Sequence, residues 1–156
     1  MADNYCHFSE VISFENEGDR DWVKEHLEFY RKFQVQNDGN DLDFEEQPGF
    51  KEFDALCEIY GLEWDCEALD FEYDLSADDV HIYSEGFGNV DHAIVFMQEF
   101  LRQRDPEGIL HLTWAFTCSK PRPGEFGGGA AFITAEKMEI IDLYEWVDKK
   151  RKAHDK

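Results

Sequence analysis

Between Asn37 and Glu85 the chain sets 17 carboxylates and a single basic residue, Lys51, among 21 apolar residues in 49 positions. Acidic segments stay disordered when they have too few apolar side chains to bury. This one carries them at about the density of the whole chain, which is 42% apolar, so it is expected to fold with its charge on the outside. The same stretch holds 16 of the 21 net negative charges. A folded surface that tolerates this self-repulsion has its simplest rationale in a basic partner.

The clearest local pattern lies inside that segment. From Leu69 to Leu75, Leu69, Phe71, Tyr73 and Leu75 alternate with Asp70, Glu72 and Asp74, the two-residue period of a half-buried strand. Ser76 to Asp79 supply turn residues and Val80, Ile82 and Tyr83 begin a partner strand, which predicts an antiparallel hairpin. Upstream, Tyr5 to Phe14 reads as a strand. Trp22, Val23, His26, Leu27, Tyr30 and Phe33 recur at helical spacing, with Asp19 or Asp21 as cap. Gln36 to Gly49 reads as a loop, and Phe50 to Tyr60 as a helix closed by Gly61.

Downstream, a helix is predicted over Val90 to Arg104, capped by Asn89 or Asp91 and stopped by Pro106 and Gly108. Strands follow over Ile109 to Cys118 and Ala130 to Ala135, flanking a loop of Pro and Gly. Ile140, Leu143, Tyr144 and Val147 then predict a C-terminal helix. This order favours an α+β fold, a mostly antiparallel sheet with three to four helices packed on it, in one domain over 1–156. At an offset of 70, Ile12, Glu15, Gly18, Asp19 and Asp21 match Ile82, Glu85, Gly88, Asn89 and Asp91. Duplicated units near 5–75 and 78–147 are one reading; the other is that any capped strand-to-helix passage reuses Gly and Asp.

Composition narrows the function classes. No apolar run approaches the roughly 18 residues needed to span a bilayer, and MADNYCHFSE lacks the basic and apolar regions of a signal peptide, so a cytoplasmic protein is expected. Cys6, Cys57, Cys66 and Cys118 show no CxxC spacing, which suggests neither a disulfide framework nor a zinc knuckle. Phosphate contacts need clustered Lys and Arg, so the charge sign argues against direct nucleic-acid binding and against an anionic membrane surface. The basic run Lys149, Lys150, Arg151 and Lys152 suits the negative end of a helix dipole.

Three constellations remain. Glu63, Asp65, Glu67, Asp70, Glu72, Asp74, Asp78 and Asp79 form the candidate partner-binding array, since alternate strand residues stand about 6.6 Å apart on one face. Phe44 or Trp64 is a candidate aromatic anchor beside it. Between the last two strands, Lys120, Arg122, Glu125 and Phe126 belong to a hairpin with Gly127, Gly128 and Gly129. It is a candidate second contact loop or an anion site, although it matches neither GxxxxGK[ST] nor GxGxxG. Asp38, Asn40, Asp41, Asp43, Glu45 and Glu46 offer oxygen ligands without an EF-hand frame. The six histidines make no HExxH, and no metal, cofactor or catalytic residue is assigned.

In its charge pattern the middle third resembles the acidic DNA-mimic inhibitors that phages and plasmids use against restriction and CRISPR nucleases. The resemblance rests on localised charge rather than on a motif. It implies a non-enzymatic protein that occupies the nucleic-acid site of a basic partner, in the manner of an anti-restriction or anti-CRISPR inhibitor. An immunity protein for a nuclease toxin would use the same electrostatics, and a small-ligand or enzyme module at residues 118–129 is the alternative of a different class.

Overall fold

A computed structural model describes residues 2–37, 49–61 and 69–155, with 30–37 described by their backbone. In chain order the elements are β1 (Asn4–Ser13), α1 (Glu17–Asn37), α2 (Phe50–Tyr60), β2 (Glu72–Leu75), β3 (Asp79–Ser84), α3 (Val90–Arg104), β4 (Ile109–Cys118), β5 (Gly127–Thr134), β6 (Met138–Asp142) and α4 (Leu143–His154). The strands pair antiparallel in one sheet of order β2-β3-β1-β4-β5-β6. The chain is an α+β protein. Among the described residues no helix is long and apolar enough to cross a membrane.

One face of the sheet is covered and the other is bare. Phe8, Ile12, Val80, Ile82, Leu112, Ala131 and Ile133 point to the covered face and are buried. Against them lies α3, whose Ala93, Ile94, Phe96, Met97, Phe100 and Leu101 are buried with α1's Val23 and Leu27 and α2's Phe53 and Cys57. Full burial of each large side chain contributes about 1.5–3 kcal/mol. Trp22 stacks on His26 at 4.6 Å and on Phe96 at 6.1 Å, and Phe71 meets Phe96 at 5.5 Å. These ring contacts bind α1, α3 and the approach to β2 into one cluster.

Polar groups fix how the helices enter. The side chain of Asn89 accepts hydrogen bonds from the Asp91 and His92 amides and caps α3. At α1 the cap is Asn16, whose Oδ1 accepts from the Asp19 amide; neither Asp19 nor Asp21 does so. The offset of 70 therefore does not superpose the two caps. Asp19 is instead buried in the first turn, where its carboxylate accepts from the Glu15 amide and from Arg104 Nε at 2.8 Å. That pair ties the start of α1 to the end of α3, and because Asp19 is buried while Arg104 is 31% exposed, removing Arg104 costs less than the roughly 3–5 kcal/mol of a fully buried pair.

Three boundaries differ from the sequence reading. Residues Met138 to Asp142 form the edge strand β6, so Ile140 belongs to a strand and α4 begins only at Leu143. Strand β5 starts at Gly127 instead of Ala130. A Cβ at Gly127 would meet the Tyr144 ring, and one at Gly128, whose φ is 150°, would meet the Trp114 carbonyl oxygen. Strand β2 is confined to Glu72–Leu75 because the Asp70 backbone is drawn to the start of α3: its carbonyl accepts from the Asn89 amide at 2.7 Å and its amide donates to His92 Nδ1 at 3.0 Å.

His26, held between Trp22 and Tyr60, bonds the Tyr60 hydroxyl at 2.7 Å. Burial lowers its pKa from 6.5 to about 4, against a smaller opposing pull from Glu99. A lowered folded-state pKa stabilises above the unfolded value, and the contribution is lost as pH falls. Urea unfolding should therefore show His26 removing up to about 3 kcal/mol as pH falls from 6.5 through 4, and His26→Gln should flatten that acid limb.

Candidate functional site

The acidic array is built on the outer edge of the sheet. In β2, Tyr73 and Leu75 are half-buried while Glu72 and Asp74 are exposed, so the pleat turns the carboxylates to the bare face. Register places Glu72 beside Tyr83 and Asp74 beside His81. Asp70 is exposed just before the strand, Asp78 is exposed in the turn, and Asp79 is held by the Ser76 hydroxyl, which donates to its Oδ1 at 3.0 Å. Glu63, Asp65 and Glu67, with the anchor candidates Phe44 and Trp64 and the oxygen-rich run from Asp38 to Glu46, lie outside the described residues.

From Asp70 to Glu85 there are six carboxylates and neither Lys nor Arg. Among the described residues, none of Asp70, Glu72, Asp74, Asp78, Asp79 and Glu85 forms an ion pair; the pairs made elsewhere are Arg102–Glu99, Arg104–Asp19, His111–Glu10, Lys137–Glu139 and Lys149–Glu145. The consequence is a local negative field that no Lys or Arg within the segment offsets. Desolvation, then the charges of Asp74, Glu72 and Glu85, with a hydrogen bond to Asp74, raise the Tyr83 phenol above its ordinary 10.0. Burial likewise raises the Asp70 carboxyl, with His92 opposing the shift and Glu72 adding to it.

Sequence reasoning missed the aromatic that stands beside this field. Phe87 is 78% exposed, yet its backbone is fixed. The Ser84 hydroxyl accepts from the Gly86 and Gly88 amides and donates to the Cys6 carbonyl, while the Cys6 amide donates to the Gly86 carbonyl at 2.6 Å. Tyr5 lies against the Phe87 ring at 5.9 Å. An open hollow of about 430 Å³ brings Phe87, Tyr5 and Tyr83 together with Asp70, Glu72 and Glu85. The available signal was Gly86-Phe87-Gly88 itself, because glycines on both sides allow the backbone to hold close to Ser84 and Tyr5 while the ring faces outward.

The neighbouring Cys6 lacks the mark of an activated thiol. Burial, reinforced by Asp70, raises the Cys6 thiol pKa, the reverse of what an attacking thiolate needs. Among the described residues no three His, Cys, Asp or Glu side chains gather as a metal-holding group.

The hairpin between β4 and β5 leaves Lys120, Arg122 and Phe126 exposed and Glu125 half-buried. Lys120 and Arg122 line none of the four described hollows. The glycine run instead admits the Trp114 and Tyr144 side chains. No family model, curated protein or solved structure matches the chain.

The local field is directly measurable. Tyr83 should ionise above pH 10.0 in a difference titration of phenolate absorbance against Tyr83→Phe, and Asp74→Asn should shift that titration to lower pH. The raised folded-state pKa contributes stability below 10.0 that is lost as pH rises through it.

Proposed function

We propose that this protein binds a basic, nucleic-acid-binding protein through the outer β2–β3 edge of its sheet and thereby blocks that partner's DNA or RNA site, as an anti-restriction or anti-CRISPR inhibitor does. The observation that carries the reading is a cluster of six carboxylates with no ion pair among the described residues, of which Glu72 and Asp74 stand in fixed register on the outward face of β2 and the others in the turn and at the two ends of the β2–β3 hairpin. A dense local array of negative charge is what a phosphate backbone offers to Lys and Arg. Rigid placement avoids the ordering cost that a flexible acidic tail would incur on binding.

Charge steers encounter but gives limited specificity. Phe87 supplies the second element: an aromatic ring on a braced backbone, next to Asp70, Glu72 and Glu85, is suited to anchor an arginine by stacking while the carboxylates take its donors. An immunity protein facing a nuclease toxin would use the same surface, and the identity of the partner distinguishes the two.

Replacing Asp70, Glu72 and Asp74 together with Asn, Gln and Asn should weaken partner binding by at least about tenfold and flatten its salt dependence, with the urea midpoint unchanged or raised. Phe87→Ala should cost about 1–2 kcal/mol of binding and leave that salt dependence intact. Unchanged affinity in both variants, measured by calorimetry on the captured partner, would sink the proposal.

A further inference from the structure

A second hollow, of about 420 Å³, opens where α3 begins. It lies on the helix-covered face of the sheet. Leu112 and Ala131 point to that face and are buried. By the two-residue period of a strand, Trp114 and Phe116 follow Leu112 onto the same face, and Ile140 joins them opposite Ala131. Leu112 is fully covered, yet Phe116 is 39% and Ile140 50% exposed, so the helical layer stops short here. Glycines shape the floor. Gly129 and Gly127 pair with Trp114 and Phe116, and a Cβ at Gly129 would strike the Trp114 indole. Its absence lets that indole lean over β5.

The walls carry charge of one sign. Asp70, Asp91 and Asp142 line the hollow, and among the described residues no Lys, Arg or His does. None of the three carboxylates forms an ion pair among the described residues. Asp142 Oδ1 accepts from the Glu145 amide, which leaves lone pairs on an ionised carboxylate for another donor. The start of α3 does not make this an anion site. The Asn89 amide already donates to the Asp70 carbonyl, the Asp91 and His92 amides donate to the Asn89 side chain, and Asp91 itself sits in the first turn.

We infer that this hollow takes an arginine side chain presented by a polypeptide. The rings of Trp114, Phe116 and Phe87 offer faces to a planar guanidinium, which stacks where a compact ammonium does not. Asp91 and Asp142 accept its donors, and Ile140 offers apolar surface to its stem. Phe87 and Asp70 line this hollow and also the one that holds Tyr83 and Glu72. A bound chain therefore turns round the end of the sheet at Phe87, from the acidic edge onto the helix face. That the polypeptide is the basic partner rests on the function proposed above; the chemistry of the hollow does not.

Acetyl-Gly-Arg-Gly-amide, titrated into the isotope-labelled full-length protein, is the probe. The Trp114 indole N–H and the Phe87 and Asn89 amides should shift saturably, with a Kd of about 1–10 mM. The matching peptides with citrulline or norleucine in place of arginine should leave them unmoved. Asp91→Asn combined with Asp142→Asn should weaken the arginine peptide at least about threefold, and Asn caps a helix as well as Asp does. The same pair should weaken the captured basic partner although Asp70, Glu72 and Asp74 are intact. No shift at the Trp114 indole, equal shifts from the citrulline or norleucine peptide, or a peptide affinity indifferent to the paired variant overturns the inference. A partner weakened by replacing Asp70, Glu72 and Asp74 but indifferent to the paired variant also overturns it and leaves the proposed function standing. Arginine-specific peptide binding with no basic protein captured at low salt upholds the hollow and overturns that function instead.

Discussion

Burial on one face of the sheet is the constraint from which the rest follows. Phe96, Met97, Phe100 and Leu101 on α3 press toward the sheet, and every inward residue of β3, from Val80 through Ile82 to Ser84, is buried beneath the helical layer. Because the side-chain period of a strand is two, a slip of one residue would turn the whole apolar set to solvent. The core therefore fixes register, and register fixes where the carboxylates go. Glu72 and Asp74 face outward because Tyr73 and Leu75 must face inward.

The same geometry gives the acidity a structural consequence as well as a functional one. An edge strand with free N–H and C=O groups invites pairing with another chain, and charge on that edge discourages it. On β2, Glu72 and Asp74 place that charge on the edge strand itself. On β6 the restraint is weaker, with Glu139 and Asp142 among Met138, Ile140 and Ile141, and there the chain continues directly into an amphipathic helix with no cover.

Much of this was legible in the residues. Val90 to Arg104 announced itself through the Asn89 cap, the apolar period and the Pro106-Glu107-Gly108 stop, and Gly61 closed α2 in the left-handed conformation at φ 66°. The hairpin of β2 and β3 followed from strict alternation. Strand β6 was hidden because Ile140, Leu143, Tyr144 and Val147 satisfy a helical template, while Asp142 serves as both last strand residue and helix cap. The glycines of β5 read as loop because nothing local reveals that Trp114 and Tyr144 need their space. Phe87 was missed for the same reason: its exposure depends on a brace from Ser84 and Cys6, far away in sequence.

The central claim is that the β2–β3 edge occupies a site built for nucleic acid. Its most direct test is competition: a basic protein captured at low salt is titrated with this protein in the presence of increasing duplex DNA or RNA. Mutually exclusive binding, with the apparent Kd rising in proportion to the nucleic acid added, is the predicted result. Simultaneous binding of both, or capture of no basic protein at low salt, would contradict the account.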